Sequence, residues 1–169
     1  MHASRTIKKN ETLLYVPKSQ IITLEMGIES PIGKKMFDAG LRKTLISPKH
    51  SFLTTFVLQE KRKEKTEWTH FIEILPKNMT NFPIFFTPEE KEYLKGSPFL
   101  DQVEEKIEDI KKDYDSICEA VPEYKQFPIK EFSEIRMMVS SRIFGINIKN
   151  LKTDGFVPMA DMLNHKRPR

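Results

Sequence analysis

Two short stretches decide how this chain reads: Ser141-Arg142-Ile143-Phe144 and, a little further on, Phe156-Val157-Pro158-Met159-Ala160-Asp161-Met162-Leu163-Asn164-His165. The residues around 130–144 have helical spacing. On a wheel of about 100° per residue Phe132, Ile135, Met138, Val139 and Ile143 make one apolar stripe, with Arg142 inside it. A guanidinium cannot shed its charge by losing a proton, so on a buried face it needs an anion, either a protein carboxylate or a ligand. Asp161 poses the complementary problem, because Phe156, Val157, Met159, Ala160, Met162 and Leu163 surround a carboxylate with apolar side chains. The two residues either pair with each other or share a ligand. Asn164 and His165 close the run with directional donors and acceptors that a core does not require, and these suit a zwitterionic small molecule.

Working outward, other chemistries fall away. No cysteine or second histidine lies at ligand spacing from His165, so a metal site is not expected. The six glycines form neither a Gly-x-Gly-x-x-Gly turn nor a phosphate loop, which argues against a Rossmann-type cofactor. His50 and His70 fall on helical stretches, where packing or surface roles are expected. The single cysteine, Cys118, excludes an internal disulfide and belongs to an apolar helix face. A net charge of +4 arises from 28 basic and 24 acidic residues, so the surface is densely charged more than it is basic, and nucleic acid is not an expected partner. With 38% hydrophobic and 31% charged residues the chain is in the globular range. No apolar run reaches membrane-spanning length, and an intracellular protein, cytoplasmic or nuclear, is expected.

The order of signals describes an α+β chain. Glu11 to Val16 and Ile21 to Leu24 alternate like strands, with Pro17 between them. Ser47-Pro48 reads as an N-cap followed by proline at the first helical position, and Thr87-Pro88-Glu89-Glu90 repeats that signature with an acidic first turn. The longest predicted helix runs from Pro98 to Val121, with Leu100, Val103, Ile107, Ile110, Tyr114, Ile117 and Val121 at alternating steps of three and four. Its other face, including Asp109 and Asp113, reads as ordinary surface. A last helix over about 130–144 precedes a short strand at Ile146-Asn147-Ile148. Strands, a helical middle and a return to strand structure imply a helical insertion in a β-containing domain.

At Ser141 to Phe144 and Val157 to His165 the chain resembles the SET-domain protein methyltransferases, within them the branch similar to the Rubisco large-subunit methyltransferase. Weaker likenesses are Ile7-Lys8-Lys9-Asn10-Glu11 with the following Val16-Pro17, and Trp68 through Leu75-Pro76. The resemblance implies a partial SET domain, short β-strands around a cofactor cleft, divided as N-terminal strands at 1–40, a large helical insertion at 41–129 and the start of the C-terminal portion at 130–169. It implies S-adenosylmethionine as cofactor. Arg142 would meet the carboxylate of its methionine part, Asp161 would shape and polarise the pocket, Asn164 would hold the amino and carboxylate end, and His165 would contact the adenine. The implied partner is a protein substrate, with lysine as acceptor first and histidine second, and no membrane. By the same pattern a glycine-containing turn belongs before His2 and a catalytic tyrosine after His165, so the expectation is a weakly active or inactive fragment. The competing expectation is a noncatalytic module, or pseudoenzyme, whose long helix binds a protein.

Overall fold

The computed structural model describes residues 3–148 and 150–163, the Leu151 side chain excepted. In chain order its elements are β1 (Ile22–Thr23), α1 (Leu24–Glu29), α2 (Pro31–Asp38), α3 (Leu41–Thr44), α4 (Pro48–Lys61), α5 (Thr69–Ile74), α6 (Pro88–Glu92), α7 (Pro98–Ala120), α8 (Ile129–Arg142), β2 (Phe144–Ile148) and β3 (Leu151–Phe156). Helix α4 lies at the centre. Phe52, Leu53, Phe56, Val57 and Leu58 are buried on several sides of it, as are Ser51, Thr54 and Thr55, so it has no solvent face along most of its length. Helices α1, α2, α5 and α8 pack around it.

The start of α4 differs from its sequence reading. Pro48 does occupy the first turn, but the Ser47 side chain makes no capping bond. The entry to the helix is held instead by Asp113 on α7, which accepts hydrogen bonds from the Ile46 N–H at 2.7 Å, the Ser47 N–H at 3.1 Å and the Ser51 hydroxyl at 2.9 Å. An ionised acceptor at a helix N-terminus is favoured over a neutral hydroxyl by the exposed N–H groups and the helix dipole. Asp113 is therefore buried, at 2% exposure, and not the surface residue that its helix pattern implies.

On α7 the heptad seam turns inward. Val103, Ile110 and Ile117 are buried with Val121 just beyond the helix, and Leu100, Ile107 and Tyr114 are half-buried. The Tyr114 hydroxyl donates to the Phe127 carbonyl at 2.7 Å, which fixes the turn leading into α8. The expected Thr87 signature is present as a capping box with Glu90. Where α8 begins, Glu131 receives both arms of Arg62 at the end of α4, at 3.0 and 2.6 Å.

The strand reading of residues 11–16 is overturned. Among the described residues that segment joins no sheet, and Leu13 and Tyr15 face solvent. Alternation makes a strand only where a partner ladder exists, and the sheet holds three antiparallel strands in the order β1-β3-β2. Residues 24–29, read as strand only at their start, continue as helix α1, which rests directly on α4: a Cβ at Gly27 would lie 2.9 Å from the Phe52 carbonyl oxygen. In the sheet, Ile22 pairs with Phe156 and Thr23 with Gly155, while β2 and β3 form a hairpin from Phe144↔Gly155 to Ile148↔Leu151. Gly155 is required there, since a Cβ would stand 2.2 Å from the Ile22 carbonyl oxygen. Cross-links to the helices come from Thr153, whose hydroxyl donates to Glu25 at 2.8 Å, and from Lys49, which pairs with Asp154 at 3.0 Å. No helix among the described residues is long and apolar enough to cross a membrane.

Two outcomes follow from this packing. Replacing Asp113 by Ala strands three donors and should lower the unfolding free energy by about 3 kcal/mol in urea titrations, while removing the exposed Asp115, paired with Lys111, should change it far less. His50, in the first turn of α4, has its pKa lowered from 6.5 to about 4 by burial, with Arg136, Lys49 and Lys106 adding repulsion against the attraction of Asp154. Its proton is bound more readily by the unfolded chain, so its contribution is intact above pH 6.5 and is lost as the pH falls toward 4. A His50→Gln variant should show a shallower loss of stability over that window.

Candidate functional site

Helix α8 ends on Arg142, because Ile143 turns to extended backbone with φ −80° and ψ 151° and leads straight into β2. Strand β3 ends on Phe156, which is fully buried and meets Phe71 edge to face at 5.8 Å. The chain then turns sharply. Val157 offers its carbonyl to the N–H of Ala160 at 3.1 Å and of Asp161 at 3.3 Å, and Met159 adopts a left-handed φ of 67°. That conformation is uncommon for a side chain of this size and marks a turn held by its surroundings. A single 3₁₀ turn, Ala160–Met162, returns Asp161 to the end of α8.

The two residues singled out by burial logic meet. Arg142 Nη1 donates to Asp161 Oδ2 at 2.9 Å and lies 3.5 Å from both the Asp161 carbonyl oxygen and Met162 Sδ. The Asp161 side chain is 0% exposed and that of Arg142 20% exposed. The pairing is nevertheless incomplete on both sides. Asp161 Oδ1 is buried without a hydrogen-bond partner among the described residues. All the Arg142 contacts use one nitrogen, so the Nε and Nη2 edge of its fork has no protein acceptor among the described residues. One arm of the guanidinium is anchored, and the other has no anion beside it among the described residues. Asn164 and His165 lie outside the described residues.

A second arginine on α8 is more deeply buried than Arg142. Arg136 is 1% exposed; its Nη1 donates to Ser140 Oγ at 2.5 Å, and its Nε has no partner among the described residues. Burial lowers its pKa to about 10, opposed by Asp113 and Asp109, so it stays charged at neutral pH. The apolar wheel passes over it, although it stands only about 40° from Phe132 on that wheel. Ser140 in turn donates to the Arg136 carbonyl at 2.9 Å, so the turn before Arg142 is tied back on itself.

This architecture defines a SET-type α+β fold with a large helical insertion. The solved SET domain of LSMT bound to lysine and AdoHcy superposes with a TM-score of 0.72 at 25% identity, covering 89% of this chain and 33% of that one. Within that class the chain is similar to the Rubisco large-subunit methyltransferase branch: it is 29% identical over 173 residues to the ribulose-1,5-bisphosphate carboxylase/oxygenase large subunit N-methyltransferase of Nicotiana tabacum, over 96% of this chain and 32% of that protein. The actin-histidine N-methyltransferase of Gallus gallus is 22% identical over 98% of this chain and 29% of its own length. The chain thus spans about a third of the length of the curated relatives it matches. No protein-family profile matches it.

The ion pair has a measurable signature. Arg142→Met leaves the buried Asp161 carboxylate without its cation, and should cost more stability than the double change Arg142→Met with Asp161→Leu. A double-mutant cycle in urea should return a coupling of about 2 kcal/mol. A coupling near zero would show that the pair contributes nothing to the fold.

Proposed function

We propose that the chain is the cofactor-binding part of an S-adenosylmethionine-dependent protein-lysine N-methyltransferase of the SET type. The observation that carries this reading is the half-used Arg142 fork. Asp161 fixes one edge of the guanidinium, and the open edge matches the two oxygens of an α-carboxylate, which Arg binds in a bidentate, planar manner. Asp161 Oδ1, without a partner among the described residues, is an acceptor of the kind that an α-ammonium group needs. A ligand bearing both groups on one carbon satisfies both deficits at once. The methionine end of S-adenosylmethionine is such a group, and the likeness to methyltransferases supports it.

In this reading Arg142 binds the carboxylate, Asp161 orients Arg142 and shapes the pocket, Asn164 holds the amino and carboxylate end, and His165 contacts the adenine. Residues 1–40 and 130–169 form the SET portion, with 41–129 inserted between them. When bound, the cofactor would supply a sulfonium methyl open to attack by a deprotonated side-chain nitrogen of the substrate protein, the N–C bond forming as the C–S bond breaks and its electron pair leaves with sulfur as S-adenosylhomocysteine. The contribution of these residues is alignment, and their fixed geometry makes that effective. Lysine is the acceptor that the likeness to the LSMT SET domain bound to lysine favours, and histidine the second, after the actin relative.

Calorimetric titration with S-adenosylhomocysteine and with 5′-methylthioadenosine, which lacks the amino-acid end, tests this directly. Arg142→Met should weaken the first by about tenfold or more and leave the second unchanged, with affinities normalised to the folded fraction. Equal losses for both, or no binding of S-adenosylhomocysteine by the parent chain, would overturn the reading.

A further inference from the structure

A cavity of about 430 Å³ opens between α1, the α3–α4 junction and β3, and the proposed methyl transfer makes no use of it. Its floor is apolar, with Leu24, Ile28 and Phe52, and its rim carries Arg42, Lys49 and Asp154. Lys49 and Asp154 pair at 3.0 Å and offset each other, while Arg42, whose guanidinium stands 5.9 Å above the Phe37 ring, has no carboxylate within ion-pair distance among the described residues. The rim therefore carries one net positive charge over a hydrocarbon floor. Asp113 takes the Ile46 and Ser47 N–H groups of the segment that leads into α4.

We propose that this cavity is a binding site for an organic carboxylate with a short apolar body, its charge set against Arg42 and Lys49 and its carbon chain on Leu24, Ile28 and Phe52. A monoanion matches the net charge of the rim, which a phosphate dianion exceeds, and the apolar floor rewards carbon that inorganic anions lack. A cation is disfavoured, since the one carboxylate present is already paired. The same chemistry is offered by a free short-chain acid and by a glutamate side chain of a protein.

His50 forms part of the wall and is a ready reporter. An anion bound beside it raises its depressed pKa, so the His50 Cε1–H resonance, assigned with His50→Gln, follows binding on the full chain. Sodium butyrate at constant ionic strength should shift it saturably with a Kd on the order of a few millimolar, with acetate weaker and phosphate or butylammonium without saturable effect. The double variant Arg42→Met, Lys49→Met should weaken butyrate by about tenfold. Arg42→Met alone, at an exposed position, should weaken it severalfold and serves if the double variant unfolds. Titration with N-acetyl-glutamate amide separates the sources: tighter binding than butyrate assigns the site to a protein side chain, weaker binding to a free acid. A linear response to butyrate, an equal response to phosphate, or unchanged affinity in Arg42→Met would overturn the proposal.

Discussion

Asp113 stands where α4 and α7 meet, and its carboxylate settles the start of the central helix. Three donors converge on it from Ile46, Ser47 and Ser51, and Arg136 on α8 lies in the same electrostatic neighbourhood without touching it. A buried charge needs this many partners to be tolerated. With α4 pinned at its first turn by Asp113 and at its last by the Arg62 and Glu131 pair, the helices around it have one register to pack against. The direction of α8, and so the place where Arg142 emerges, follows from that frame.

The site is built where helix and hairpin meet. Arg142 is the last helical residue of α8, Asp161 is delivered by a tight turn after β3, and the intervening hairpin is held to the helices through Thr153 and Lys49. None of these supports is large by itself. Together they hold a guanidinium anchored through one nitrogen, with its other edge unpaired among the described residues.

What could be read from the sequence was local. The proline and capping signals at Pro48, Thr87 and Pro98 act within one turn of the chain, so they identified helix starts without knowledge of the fold. Arg142 and Asp161 stood out because apolar neighbours in sequence made each charge conspicuous. Asp113 did not, because its burial arises from contact with a helix start more than sixty residues earlier, and its own neighbours are lysine, aspartate and tyrosine. The same holds for residues 11–16, whose alternation describes what a strand could be and not whether a ladder is there to receive it. Arg136 lay inside the apolar sector, between Ile135 and Met137, where its burial was as open to the wheel argument as that of Arg142.

The two-residue ladder of β1 on β3 joins Ile22 to Phe156, nearly the whole described chain apart. A pairing so short cannot form early, since the entropy of closing that loop is set against very few hydrogen bonds. The helical middle must already be compact to bring the strands together. The turn carrying Asp161 follows directly from β3, so the strand that delivers the carboxylate is also the one that closes the chain's longest loop.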